Sequence, residues 1–162
     1  MTGVQTCALP ISDLPGHPLP QAPQTLEQSA PAPFLFASKT TGYHDLIEGR
    51  IAQGVSFRGP SAVWFRLRHP LVAGEAPSGL ERVAVAADSG NGISAILDFH
   101  RYIFVNSDLT INLLRKAEGE WICVDARTLL GPDGGGLAEA RLFDAHGLIG
   151  RSIQSLAIRL RD

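Results

Sequence analysis

The sequence predicts an α+β domain in which a curved antiparallel β-sheet wraps around one long helix. Three observations point there. Hydrophobic residues make up 44% of the 162-residue chain and charged residues 19%, the balance of a chain that buries a core. One segment carries a helix-start signal followed by small residues at helical spacing. Four strand-like runs then succeed one another across glycine-bearing turns, the pattern of an antiparallel meander.

The elements follow in order. Asp45 to Val55 mixes Ile47, Ile51 and Val55 with polar residues and is ambiguous between helix and strand; Ser56-Phe57-Arg58-Gly59-Pro60 punctuates it. Residues 62–69 alternate, with Val63, Phe65 and Leu67 on one face and Trp64, Arg66 and Arg68 on the other, as a half-buried strand does. Ser78 and Glu81 form a capping box behind Pro77. Leu80, Val83, Ala84 and Ala87 continue that helix, and its small side chains suit close packing on a sheet. Asp88-Ser89-Gly90-Asn91-Gly92 reads as its exit turn. The four strand-like runs are Tyr102 to Leu114, Glu120 to Leu130, Leu137 to Asp144 and Leu148 to Leu160.

The N-terminal part reads differently. Seven of the 11 prolines fall at or before Pro33. Proline lacks a backbone donor and disfavours helix and sheet interiors, so residues 12–33 are expected to be a disordered, extended linker, with the domain over 34–162. The first eleven residues, MTGVQTCALPI, lack the positive charge of a signal peptide. They match, in frame, the translation of a sequencing-library adapter, and the expectation is that residues 1–11 are an artefact ahead of a gene fragment.

Composition excludes several function classes. With 14 basic and 16 acidic residues the net charge is −2, against a strongly basic nucleic-acid footprint. No uncharged apolar run reaches the ~18 residues of a membrane span. The expectations are no nucleic acid, no membrane span and a cytoplasmic location. Cys7 and Cys123 form neither a disulfide scaffold nor a zinc motif, and His100 and His146 have no metal spacing. Gly134-Gly135-Gly136 has no lysine after it and reads as a hairpin, not a phosphate loop. There is no G-x-S-x-G elbow. No cofactor or metal is called for.

Three segments carry a family resemblance. Asn106-Ser107-Asp108-Leu109-Thr110-Ile111-Asn112-Leu113-Leu114-Arg115 is similar to the strand after the helix in acyl-CoA thioesterase II-like proteins. Glu120-Trp121-Ile122-Cys123-Val124-Asp125-Ala126-Arg127-Thr128 is similar to their next strand, and Asp144-Ala145-His146-Gly147-Leu148-Ile149-Gly150-Arg151-Ser152-Ile153-Gln154 to their last hairpin. The resemblance covers roughly residues 40–160 and implies a hotdog fold. Members of that family usually carry two hotdog halves, so the resemblance implies a C-terminal half that pairs with a missing N-terminal half or with a second copy of itself. A lone half would expose an apolar face and associate.

The chemistry so implied is hydrolysis of a fatty acyl-CoA to free acid and coenzyme A. A carboxylate activates a water, while a hydroxyl and an amide hold it. The resemblance puts these roles on Asp108, Thr128 and Gln154, with Leu129 as the alternative register for Thr128. Each has a plain structural reading too: a turn or edge carboxylate, an ordinary β-branched strand residue, a solvated strand residue. Gln154 shares its parity with Leu156, Ile158 and Leu160, and Thr128 with Ile122, Val124 and Ala126, so both sit among apolar neighbours where an unpaired polar group is costly. Asp108 has Asn106, Thr110 and Asn112 as parity mates, so either that polar face lines a site or the strand bulges near Ser107. Asp125 is a surface residue or a secondary carboxylate, and Cys123 a core thiol. Arg66, Arg68, Arg115 and Arg151 are candidates for coenzyme A phosphates, each also readable as plain surface charge. Two other functions stay open: a hydratase or dehydratase of the same fold, for which no histidine stands at a matching place, and a non-catalytic acyl-binding or dimerisation half.

Overall fold

The computed structural model describes residues 17–32 and 42–161; the adapter-like stretch lies outside them. The described strands are β1 (Ala30–Pro31), β2 (Ile47–Gln53), β3 (Ser61–Leu67), β4 (Tyr102–Asn106), β5 (Thr110–Leu113), β6 (Trp121–Leu130), β7 (Gly135–Asp144) and β8 (Gly147–Leu160). The helices are α1 (Tyr43–Leu46), α2 (Gly79–Asp88) and α3 (Gly90–Ile93). One antiparallel sheet runs in the order β1-β2-β3-β6-β7-β8-β4, with β5 also pairing on β8. The ambiguous stretch around Ile47 is thus a strand, and the alternating stretch expected over 62–69 forms β3, which ends at Leu67.

The helix begins as the capping box demands. Glu81 N–H donates to Ser78 Oγ at 3.2 Å and Ser78 N–H to a Glu81 carboxylate oxygen at 2.5 Å. Val83, Ala86 and Ala87 are buried on the sheet, whereas Leu80 is exposed. The single long helix of the sequence reading is instead two short ones, broken at Ser89, with a further turn over Gly90–Ile93 where an exit was expected. The inner core lies between these helices and β2, β3, β6, β7 and β8, and includes Phe65, Ile122, Val124 and Leu142.

The proline-rich segment departs from its expected disorder. Residues 20–26 lie against the outer face of the sheet, where Ala22 and Leu26 pack on a second buried cluster built from Trp64, Cys123 and Phe143, and Ala30–Pro31 then pair with β2 at the sheet edge. Trp64 Nε1–H donates to Gln24 O at 3.1 Å and Leu148 N–H to Pro20 O at 2.9 Å. Prolines lack donors but keep their carbonyls, and Pro31 sits in edge strand β1, where a missing donor costs least. Gly147 makes room for the strap: its φ is 118°, and a Cβ there would fall 2.9 Å from Gln21 Nε2. Trp64→Phe keeps the ring packing and removes only the bond to Gln24. It should cost about 1 kcal/mol and speed amide hydrogen exchange across residues 17–31; unchanged exchange would mean that the indole bond does not hold the strap.

The run from Tyr102 to Leu114 is not one continuous strand. Asn106 pairs with Leu156 and Thr110 with Ile153, so three residues on one side, 107–109, oppose two on β8. That one-residue excess is a bulge, the second of the two readings open for Asp108.

Candidate functional site

The register of β6, β7 and β8 builds the floor of the site. Thr128 and Gln154 are both cross-strand partners of Ala138, so they lie on the inner face on either side of a small residue, two strand spacings (about 9.6 Å) apart. Both are buried, Thr128 at 9% and Gln154 at 1% exposure. The sequence parity placed them among apolar neighbours, and the partners they need come from the broken helix above.

Gln154 is wired to that break at both ends of its amide. Oε1 accepts from the Asn91 N–H at 2.9 Å, and Nε2 donates to Asp88 O at 3.2 Å. Asp88 Oδ1 in turn accepts from Asn106 Nδ2 at 3.1 Å. Gly90 allows this approach: a Cβ there would stand 3.2 Å from Gln154 Oε1. Of the two Nε2 protons, the bond to Asp88 uses one, and the other has no partner among the described residues.

Thr128 meets Ser94, which is fully buried. Ser94 Oγ donates to Gly90 O at 2.8 Å and stands 2.8 Å from Thr128 Oγ1. A hydroxyl has one proton. Because Ser94 spends its proton on Gly90, Thr128 is the donor to Ser94, and Thr128 Oγ1 keeps its acceptor capacity for another group.

Asp108 sits apart, in the exposed bulge between β4 and β5. Its Oδ1 accepts from the Ser155 N–H at 2.9 Å, and the Ser107 N–H donates to Ser155 O at 2.9 Å. The carboxylate thus replaces a ladder acceptor displaced by the extra residue. The Ser155 N–H, with help from the Ser155 side chain, holds the Asp108 carboxyl below the usual carboxylate range, so it is ionised at neutral pH. Ser155 follows Gln154 on β8, but no hydrogen bond among the described residues joins the Asp108 carboxylate to Gln154 or Thr128. The structure therefore gathers two of the three expected residues under the helix break and ties the third to the neighbouring backbone.

Residues that sequence reading missed are Asp88, Asn91 and Ser94. All lie in or beside the Gly-rich stretch read as an exit turn. Of the four arginines, Arg66 pairs with Glu48 at 2.5 Å, and Arg115 forms a two-pronged pair with Asp144 at 2.5 and 2.7 Å, so neither is plain unpaired surface charge. Asp125 pairs with Arg141. Cys123 is buried in the outer cluster, and burial pushes its thiol pKa up, so it is an inert core group.

An antiparallel sheet covered on one face by a short broken helix is a hotdog-like fold. The chain belongs to the acyl-CoA thioesterase C-terminal domain family, which matches residues 16–158, in agreement with the thioesterase II-like C-terminal half that the three segments resemble. Solved structures share the fold. A proposed thioesterase II from Thermobifida fusca YX is similar over 93% of this chain and 58% of its own, at 18% identity and a TM-score of 0.66. A proposed thioesterase from Novosphingobium aromaticivorans DSM 12444 is similar over 88% of this chain and 53% of its own, at 22% identity and a TM-score of 0.60. The acyl-CoA thioesterase II TesB2 from Mycobacterium marinum is similar over 82% of this chain and 56% of its own, at 18% identity and a TM-score of 0.56. The chain thus spans little more than half the length of these three. No curated protein matches the sequence. Among the described residues no helix is long and apolar enough to cross a membrane.

Proposed function

We propose that the chain is the hydrolytic half of an acyl-CoA thioesterase. The observation that carries this reading is the pair Thr128 and Gln154: two buried polar side chains flanking Ala138, each with one hydrogen-bonding position left over after its structural bond. In this reading Thr128 Oγ1 accepts one proton of a water. Asp108 takes the other as general base, and the second Nε2 proton of Gln154 faces the negative charge that develops on the thioester oxygen. The water oxygen bonds to the carbonyl carbon, the carbon–sulfur bond breaks, and the proton held by Asp108 passes to the departing thiolate. Fatty acyl-CoA is the substrate and a free acid and coenzyme A are the products.

The outer face supports pairing with a second hotdog half or a second copy. Leu129 and Leu137 are directly opposed across β6 and β7, and with Ile153 they are 37–45% exposed. Such a patch favours association.

The reading is tested by thiol release from acyl-CoAs of several chain lengths. Thr128→Ser, which keeps the hydroxyl, should retain most of the rate, whereas Thr128→Val should lose at least about tenfold. Absence of thiol release at every chain length, from the chain alone and from the chain assembled with a second half, would overturn it in favour of a binding role.

A further inference from the structure

Ser94 stands four residues after Gly90, the spacing at which a serine hydroxyl bonds back to a helical carbonyl. It does so at the end of α3: Ser94 Oγ donates to Gly90 O at 2.8 Å, and the residue is fully buried. The carbonyl it bonds belongs to the same peptide group as the Asn91 N–H, which donates to Gln154 Oε1 at 2.9 Å. One planar amide is therefore held at both ends by the site, at its oxygen by Thr128 acting through Ser94 and at its nitrogen by Gln154. The bonds run head to tail. Thr128 donates to Ser94, Ser94 to Gly90 O, the Asn91 N–H to Gln154 Oε1, and Gln154 Nε2 to Asp88 O. Every donor in this chain points the same way, and bonds in such a series strengthen one another by about 10–30% each.

We propose that Ser94 is a positioning residue that couples Thr128 to Gln154 through the Gly90–Asn91 peptide. Resting on the thioesterase reading, the coupling has a chemical consequence at both ends. At one end, donation to Ser94 enriches Thr128 Oγ1 in electron density and makes it a better acceptor for a proton of the water. At the other, the pull on Oε1 drains the Gln154 amide, so the Nε2 proton with no partner among the described residues becomes a stronger donor to the thioester oxygen. Ser94 meets neither water nor substrate in this arrangement and acts only through the two side chains that do. The turn itself does not hang on the Ser94 hydroxyl. Ile93 O accepts from the Phe57 N–H at 3.0 Å and from Ser61 Oγ at 2.7 Å, which pin α3 to β3 and to the loop before it.

The test pairs kinetics with a measurement that needs no turnover. In thiol release, Ser94→Ala should lower kcat about tenfold, the scale of one hydrogen bond, and leave KM unchanged, because Ser94 touches no substrate. Ser94→Thr keeps a hydroxyl at the same spacing and should restore most of kcat, whereas a loss caused by packing alone would not be rescued by a larger side chain. The second measurement is the amide proton resonance of Asn91 in the full chain. Thr128→Val removes the first donor of the series and should move that resonance to lower frequency, the mark of a weaker bond. The same change made in Ser94→Ala should leave it in place. An Asn91 resonance that answers to Thr128 equally with and without Ser94 overturns the coupling, as does a Ser94→Ala variant with the parent's kcat. If the parent releases no thiol while the Asn91 resonance still answers to Thr128 only through Ser94, the thioesterase reading falls and the coupling stands.

Discussion

Asp108→Asn should fold like the parent and hydrolyse acyl-CoA about 10²–10⁴ times more slowly, the range of a lost general base. The two halves of that expectation come from different atoms. The structural duty of Asp108 is to accept the Ser155 N–H where the bulge has displaced a ladder partner, and an asparagine Oδ1 does the same. The proposed catalytic duty is to take a proton from water, which a neutral amide cannot do. Asp108→Ala removes both and should also loosen the bulge by about 1 kcal/mol. Thiol release and thermal unfolding, measured on both variants, separate the roles. If Asp108→Asn keeps its rate while Asp108→Ala loses stability, the carboxylate is a ladder substitute only. The pH dependence has a definite sign. Because Ser155 holds the folded-state carboxyl below its ordinary value, the base stays ionised above about pH 4, and hydrolysis should persist until the pH falls below that range.

The sequence made the floor of the site legible and its roof hard to read. Strand parity is a period of two and survives any detail of packing, so Thr128 and Gln154 could be placed on the inner face before their partners were known. The Ser78–Glu81 box is equally local, and it forms as written. The extra turn over Gly90–Ile93 was misread because glycine signals a stop. Here the stop is overridden by tertiary bonds: Gln154 fixes the Asn91 amide, and Thr128 fixes Ser94. One trace was available. Ala86, Gly90 and Ile93 fall at i, i+4 and i+7, and all three are buried, so the helical stripe runs through the supposed turn. The strap over residues 17–32 left a fainter signal still. Its prolines dominate the composition, whereas its hold on the sheet comes from Ala22, Leu26, the carbonyls of Pro20 and Gln24 and the pairing of β1 with β2, none of which a proline count reveals. The bulge at 107–109 had a readable symptom, a polar parity set opposite an apolar one. Only the pairing with β8 decided between a polar face and an extra residue.

Arg115→Met should be the most destabilising single substitution away from the site, because of what it leaves behind. The Asp144 side chain is fully buried at the β7–β8 turn. Its oxygens accept from both Arg115 terminal nitrogens and from the Glu118 and His146 N–H groups, at 2.5–2.9 Å. Burial pushes this carboxyl up, but Arg115 and the two amides outweigh it and hold the group below the usual range. Without Arg115 the carboxylate is buried and short of its counter-charge, which costs about 3–5 kcal/mol, a large part of the 5–15 kcal/mol that keeps a domain folded, and lowers the thermal midpoint by roughly 10 °C. Arg115→Met with Asp144→Asn should lose less than Arg115→Met alone: the amide oxygen still accepts from one of the two N–H groups, which donate to different carboxylate oxygens, and no charge is stranded. Because the folded-state carboxyl lies below its unfolded value, the stabilisation is complete above about pH 4 and is lost as pH falls through the folded value. In Arg115→Met that loss should begin at higher pH. Urea unfolding of the parent, the single and the double variant across this range checks both expectations. A single variant as stable as the parent would show that the amides alone suffice to hold the carboxylate, and that the guanidinium pair contributes nothing to the turn.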